Sequence, residues 1–145
     1  MIDPKTMLAA ICIAASFTGC SGSEADSSAT GFPEHALTTL ESDDGTLLFD
    51  VRTSPSQPPS RGSNNVQLRV RDAATGAPKE GLSISAVPWM PAMGHGSSVQ
   101  PSVTSLSDGV YEISNVYLFM PGRWEIRAEV TGDTSHHAVM TFDVL

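Results

Sequence analysis

No cysteine follows residue 20. Cys12 lies in the apolar run Met7 to Phe17, and Cys20 closes the segment Phe17-Thr18-Gly19-Cys20. The body of the chain therefore has no disulfide framework open to it. It also lacks thiolates for structural zinc and a thiol nucleophile. Basic residues are scarce: 8 Lys and Arg stand against 16 Asp and Glu, a formal net charge of −8. Nucleic-acid binding needs a basic footprint, so that class of partner is excluded. A diffuse negative charge favours solubility and is compatible with attracting cations. No long hydrophobic run is present. Met7 to Phe17 is too short to span a bilayer with stable flanks. Beyond it, no window of about twelve residues shows the 3.6-residue period of an amphipathic helix. Catalytic signatures are missing too. There is no Gly-x-Ser-x-Gly elbow, no His-Glu-x-x-His and no phosphate-cradling glycine loop. Asp108-Gly109 reads as turn chemistry, not as half of a carboxylate pair with Glu112. The expected class is not an enzyme.

The first residues read as a secretory signal. Lys5 gives a minimal positive region, an apolar run follows, and small residues close it. Ending on Gly19-Cys20, residues 1–19 resemble a bacterial lipoprotein signal peptide, with Phe17 standing where leucine is commonest. The resemblance implies a lipidated Cys20 and a membrane anchor there; the alternative is an ordinary cleaved signal with an incidental cysteine. Ser21 after the cysteine resembles the pattern of outer-membrane retention. The expected location is extracytoplasmic, at the outer membrane, facing the periplasm or the cell surface. Residues 20–45 are rich in Ser, Thr, Ala, Gly and acids and read as a flexible tether after the anchor. His35 is then a solvated linker residue. Residues 46–145 remain for one domain with a real core.

That domain has period two. Val66, Leu68 and Val70 alternate with Gln67, Arg69 and Arg71. Leu82, Ile84 and Ala86 alternate with Ser83 and Ser85. Trp124, Ile126, Ala128 and Val130 form a third apolar face, and Ala138, Met140, Phe142 and Val144 a fourth. Thr46 to Thr53 opens the domain as a weaker strand. Ser98 to Leu106 and Val110 to Asn115 suit a hairpin around Ser107-Asp108-Gly109. Ser54 to Asn64 is a Pro/Ser loop that no sheet interior would hold. Strands at this spacing predict an all-β fold, an immunoglobulin-like antiparallel β-sandwich of about seven strands.

Two segments stand apart: Val87 to Gly96 (VPWMPAMGHG) and Phe119 to Trp124 (FMPGRW). Pro88 and Pro91 hold the residues before them out of helix, so the first segment runs extended off its strand. In an extended chain Met93 and His95 share a face. Met120 comes from the second segment. His136 and His137 precede the last strand, one on each face. Trp89-Met90-Pro91-Ala92-Met93-Gly94-His95, then Asp108-Gly109-Val110-Tyr111, then Met120-Pro121-Gly122-Arg123-Trp124 resemble the YtkA-like domain family. These are small extracytoplasmic β-sandwich domains, often lipoproteins, and the resemblance covers about Val66 to Leu145. Some relatives occur in copper-handling or respiratory contexts.

Without thiolates or a calcium-type carboxylate loop, the residues that remain for a metal are thioethers and imidazoles. Thioether with imidazole suits Cu(I), and histidine-rich sets suit Cu(II). The candidate ligands are Met93 and His95, then Met90 and Met120, with His136 or His137 joining if the loops meet. Copper would be held for delivery, buffering or sensing. The competing expectation is a metal-free module of the cell envelope, with a protein as its partner. In it Met90 and Met120 pack against Trp89 and Trp124, and His95 is a loop residue. Met140, on an apolar strand face, is core in either case.

Overall fold

The computed structural model describes residues 31–145. The expected signal peptide, the expected lipidation of Cys20 and the first part of the expected tether lie outside the described residues. Nine strands follow in order: β1 (Thr38–Glu41), β2 (Leu47–Ser54), β3 (Gly62–Asp72), β4 (Ser83–Met90), β5 (His95–Gly96), β6 (Ser102–Ser105), β7 (Val110–Leu118), β8 (Gly122–Thr131) and β9 (Ser135–Val144). Every pairing between them is antiparallel. One sheet has the order β1-β2-β3-β7-β6 and the other β5-β4-β8-β9. Among the described residues there is no helix. The all-β sandwich expected from the alternation is the fold observed.

Alternation explains how the two sheets meet. Along β9 the burial pattern switches at every residue from His136 to Val144. Trp124, Ile126, Val51, Val66 and Ile113 are fully buried, and Phe49, Leu68 and Met140 nearly so. These residues interdigitate between the sheets and make one core cluster. Each such side chain contributes about 1.5–3 kcal/mol through removal of apolar surface from water.

Two strands were not anticipated. One corrects the tether, which was expected to run to residue 45. Thr38 to Glu41 instead pairs with Leu48 to Val51 and becomes the edge of the larger sheet. Phe32 is 7 % exposed, and Leu37 and Leu40 pack on the core. The polar composition of residues 20–45 hid three apolar residues that a sheet edge could use. Arg52 and Gln57 donate to the backbone carbonyls of Glu34 and His35, so His35 sits on the body of the domain. The other addition is β5, two residues paired with the end of β4.

Tyr111 explains the Gly-x-Tyr motif. Its hydroxyl donates to the Lys79 carbonyl at 3.0 Å and accepts from Leu82 N–H at 3.1 Å. It thereby ties the β3–β4 crossover to β7, with its ring buried in the core. Gly109 is obligatory beside it. Its φ is +69°, and a Cβ there would stand 2.6 Å from the Val70 carbonyl oxygen. This motif holds the fold.

Candidate functional site

The hairpin from β4 to β5 turns over Pro91-Ala92-Met93-Gly94. Met93 and Gly94 N–H groups both bond the Met90 carbonyl, and Gly94 takes φ +68°. The extended path expected for Met93 and His95 is thus interrupted by a turn. The physical reason is the left-handed Gly94, which reverses the chain after the proline. Strand alternation therefore does not place Met93 and His95 on one face. His95 instead pairs across the hairpin with Met90. Directly opposed residues of an antiparallel pair share a face, with Cβ atoms about 4.5–5.5 Å apart.

Met90 points inward and is 5 % exposed, whereas Met93 at the hairpin tip is 53 % exposed. His95 is exposed, and its ring stacks on Phe119 at 6.0 Å between centroids, 6° from parallel. Phe119 in turn meets the edge of Trp124 at 5.2 Å. Trp124 is fully buried and donates its indole N–H to the Met120 carbonyl at 3.0 Å. That bond fixes the loop between β7 and β8 and gives the Met-Pro-Gly-x-Trp motif a mechanical role. Met120 is half-buried against the core. Gly122, two residues on, has φ +132°, and the terminal methyl of Met90 fills the space a Cβ would take. The two Met-bearing loops therefore meet at one end of the sandwich. Met90 meets Gly122 and His95 meets Phe119 there, which brings the Met120 loop beside the hairpin, with Met93 exposed at its tip.

Imidazole orientation matters for what this set can do. His95 Nδ1 lies 3.3 Å from the Gly96 carbonyl oxygen. A carbonyl only accepts, so in the tautomer that makes this contact a hydrogen bond Nδ1 donates and Nε2 carries the lone pair.

His136 and His137 do not join this set. The β8–β9 register places Gly122 opposite Val144 and Val130 opposite His136. The length of β8, at about 3.3 Å per residue, puts the histidines about 30 Å from Met120. Sequence proximity to a strand does not say at which end of the sheet the residue sits. His136 is buried and His137 exposed, as alternation requires. At their end, His136 meets Asp43 and Asp44, with ligand atoms all within 4.8 Å of one another. Both aspartates were assigned to the tether, so this cluster escaped the sequence reading. The one available signal was the turn-forming Ser42-Asp43-Asp44-Gly45 between two apolar stretches. Phe119 was also missed as a contact of His95, because nothing local joins a strand end to a hairpin in the other direction.

The described residues thus form a small two-sheet antiparallel β-sandwich whose Met- and His-bearing loops lie at one end. The profile of the YtkA-like family matches residues 46–129, and the chain belongs to that family. A search of curated proteins finds no match. Among solved structures, the chain is similar to a copper-bound variant of FetP from uropathogenic Escherichia coli strain F11. The TM-score is 0.49 at 8 % identity, covering 73 % of this chain and 93 % of that one.

Proposed function

We propose that this is a lipid-anchored, extracytoplasmic copper-binding domain and not an enzyme. The observation that carries the reading is the pairing of Met90 with His95 at the point where the Met120 loop closes on them. Two thioethers and one imidazole are a donor set for Cu(I), and no thiolate competes for it in the described residues. Exposed Met93 is the group to capture the ion first, and His95 Nε2 is the ligand that fixes it. A shallow, partly exposed set of neutral donors suits an ion that is handed on. Delivery, buffering or sensing of copper all fit this arrangement. On this reading the anchor is Cys20, and the chain that follows it links the anchor to the domain, which is already docked at Phe32. Outer-membrane retention is read from Ser21.

One observation favours a second reading. Met90 is nearly fully buried, which a metal-free packing role explains as well. The domain then offers the outer face of its smaller sheet to an envelope protein. There Val87 and Val139, each 46 % exposed, flank Arg127 in register, and Arg127 lies 5.0 Å above the Trp89 ring.

A Cu(I) titration under a competing chelator separates the two. The full chain carries Cys12→Ser and Cys20→Ser, so that only the domain's ligands compete. In that background His95→Ala with Met93→Ala is expected to weaken binding by at least about tenfold. Equal affinity in parent and double variant leaves only the metal-free reading.

A further inference from the structure

We propose a second metal site, for a divalent first-row transition ion, formed by Asp43, Asp44 and His136 at the opposite end of the sandwich from the Met/His loops. His136 is the observation that points to a ligand. Its side chain is 9 % exposed, and Nδ1 is buried without a hydrogen bond. The atom facing it is Asp44 Oδ2, 3.1 Å away and off the hydrogen-bond direction. On its other side, His136 Nε2 lies 2.8 Å from Thr134 Oγ1. With the ring proton on Nε2, donated to that hydroxyl, Nδ1 turns a lone pair toward a carboxylate. In that tautomer two acceptors face each other at 3.1 Å, one of them shielded from water, and a cation between them, a metal ion or a proton, relieves the repulsion.

The carboxylates are already oriented for that role. Asp44 Oδ1 accepts from Ser42 Oγ at 2.6 Å, Thr46 Oγ1 at 2.8 Å and Thr46 N–H at 3.1 Å. Those three bonds hold the side chain and leave Oδ2 to face the imidazole. Asp43 Oδ1 accepts the His137 N–H at 3.1 Å, and the His137 carbonyl accepts the Asp43 N–H at 3.2 Å. Each ligand thus has outer-shell partners of the kind that fix metal-binding side chains.

The chemistry of the set selects the ion. One imidazole and two carboxylates suit borderline divalent ions such as zinc, and no thioether or thiolate is present to favour Cu(I). Two carboxylates neutralise a 2+ charge, and three protein donors leave a position for water. The ion would clip the β1–β2 turn of one sheet to the start of β9 in the other. The site is therefore distinct from the copper reading in place, donor type and oxidation state.

Zinc(II) tests it, in the full chain with both cysteines replaced by serine. Calorimetry reads the affinity, and the ring-nitrogen NMR shifts of His136 report where the ion sits. The decisive variant is Asp44→Asn. Asparagine keeps Oδ1 for its three bonds and offers an amide N–H to Nδ1, so the turn survives while the charge is lost. Zinc is expected to shift His136 Nδ1 in the parent, and Asp44→Asn to lose at least about tenfold in affinity. Asp43→Asn serves the same purpose if Asp44→Asn does not fold. His95→Ala with Met120→Ala is expected to keep the parent's zinc affinity. No response at His136 up to millimolar zinc overturns the proposal, including the case in which a proton alone supplies the charge. So does binding undiminished in both aspartate variants, or a loss that follows the His95 and Met120 variant.

Discussion

His95 lies opposite Met90 across the β4–β5 hairpin, and its exposed ring rests on Phe119. One residue of the pair is sealed in the core and the other is open to solvent. On the copper reading, the pair would be a rim, with a fixed inner donor in Met90 and an accessible outer one in His95. A change to the loop that holds the inner donor should be felt by any ion the outer one captures.

Gly122→Ala tests that coupling. A Cβ at φ +132° is strained and displaces the terminal methyl of Met90. The expected cost is about 1–3 kcal/mol in urea unfolding. Cu(I) affinity should fall together with stability. Unchanged stability and affinity would show that Met90 moves aside freely.

Trp124→Phe removes the indole donor that holds the Met120 carbonyl while keeping an aromatic ring in the core. The loss of volume and of one buried hydrogen bond should cost about 2–4 kcal/mol. Freed of that bond, Met120 should bind Cu(I) less well than in the parent at temperatures where both are folded. A chelator competition below the unfolding range measures this.

Tyr111→Phe probes the far end. It leaves Lys79 carbonyl and Leu82 N–H without their shared partner. Unfolding free energy should drop by about 1–3 kcal/mol. Copper affinity should not change, because Tyr111 stands at the end of the sheets away from the Met/His loops. A parallel fall in copper affinity would contradict the separation of the two ends.

Acid stability depends in part on Asp72. The Thr75 backbone N–H, the Thr75 hydroxyl and Lys79 hold its carboxyl below the ordinary carboxylate range. A depressed folded value stabilises the fold at neutral pH. That contribution is complete above the unfolded value near about 3.9 and is lost as pH falls through the folded one. Asp72→Asn should therefore be less stable than the parent at neutral pH, and the gap should close between about pH 5 and pH 2. Denaturant midpoints taken across that range give the comparison.

Removing residues before Thr46 should destabilise the domain. The cut strips β1 from the edge of β2 and uncovers the core beneath Phe32, Leu37 and Leu40. A loss of at least about 3 kcal/mol is expected against a chain that keeps residues 31–45. Equal urea midpoints for the two chains would return this segment to the status of a tether.

Much of the fold was legible because it is written locally. Val66 to Arg71, Trp124 to Val130 and Ala138 to Val144 each declare a buried face by simple alternation. β1 was not legible, since Thr38 to Glu41 has little apolar character and becomes a strand only by pairing with β2. The extended reading of Met93 and His95 failed at Gly94, where one left-handed residue turned the chain back. Asp43 and Asp44 looked like tether acids because their partner, His136, lies far along the chain.

The sequence alone therefore determined residue types and strand faces. It set which methionines and histidines exist, the absence of thiolates beyond residue 20, and the two-residue period that builds a sandwich. Only the tertiary structure decided where they meet. Antiparallel register sent His136 to Asp44 and away from Met120, and it set His95 against Met90. Period is a property of neighbours in the chain, whereas register and loop convergence come from packing between segments far apart in it.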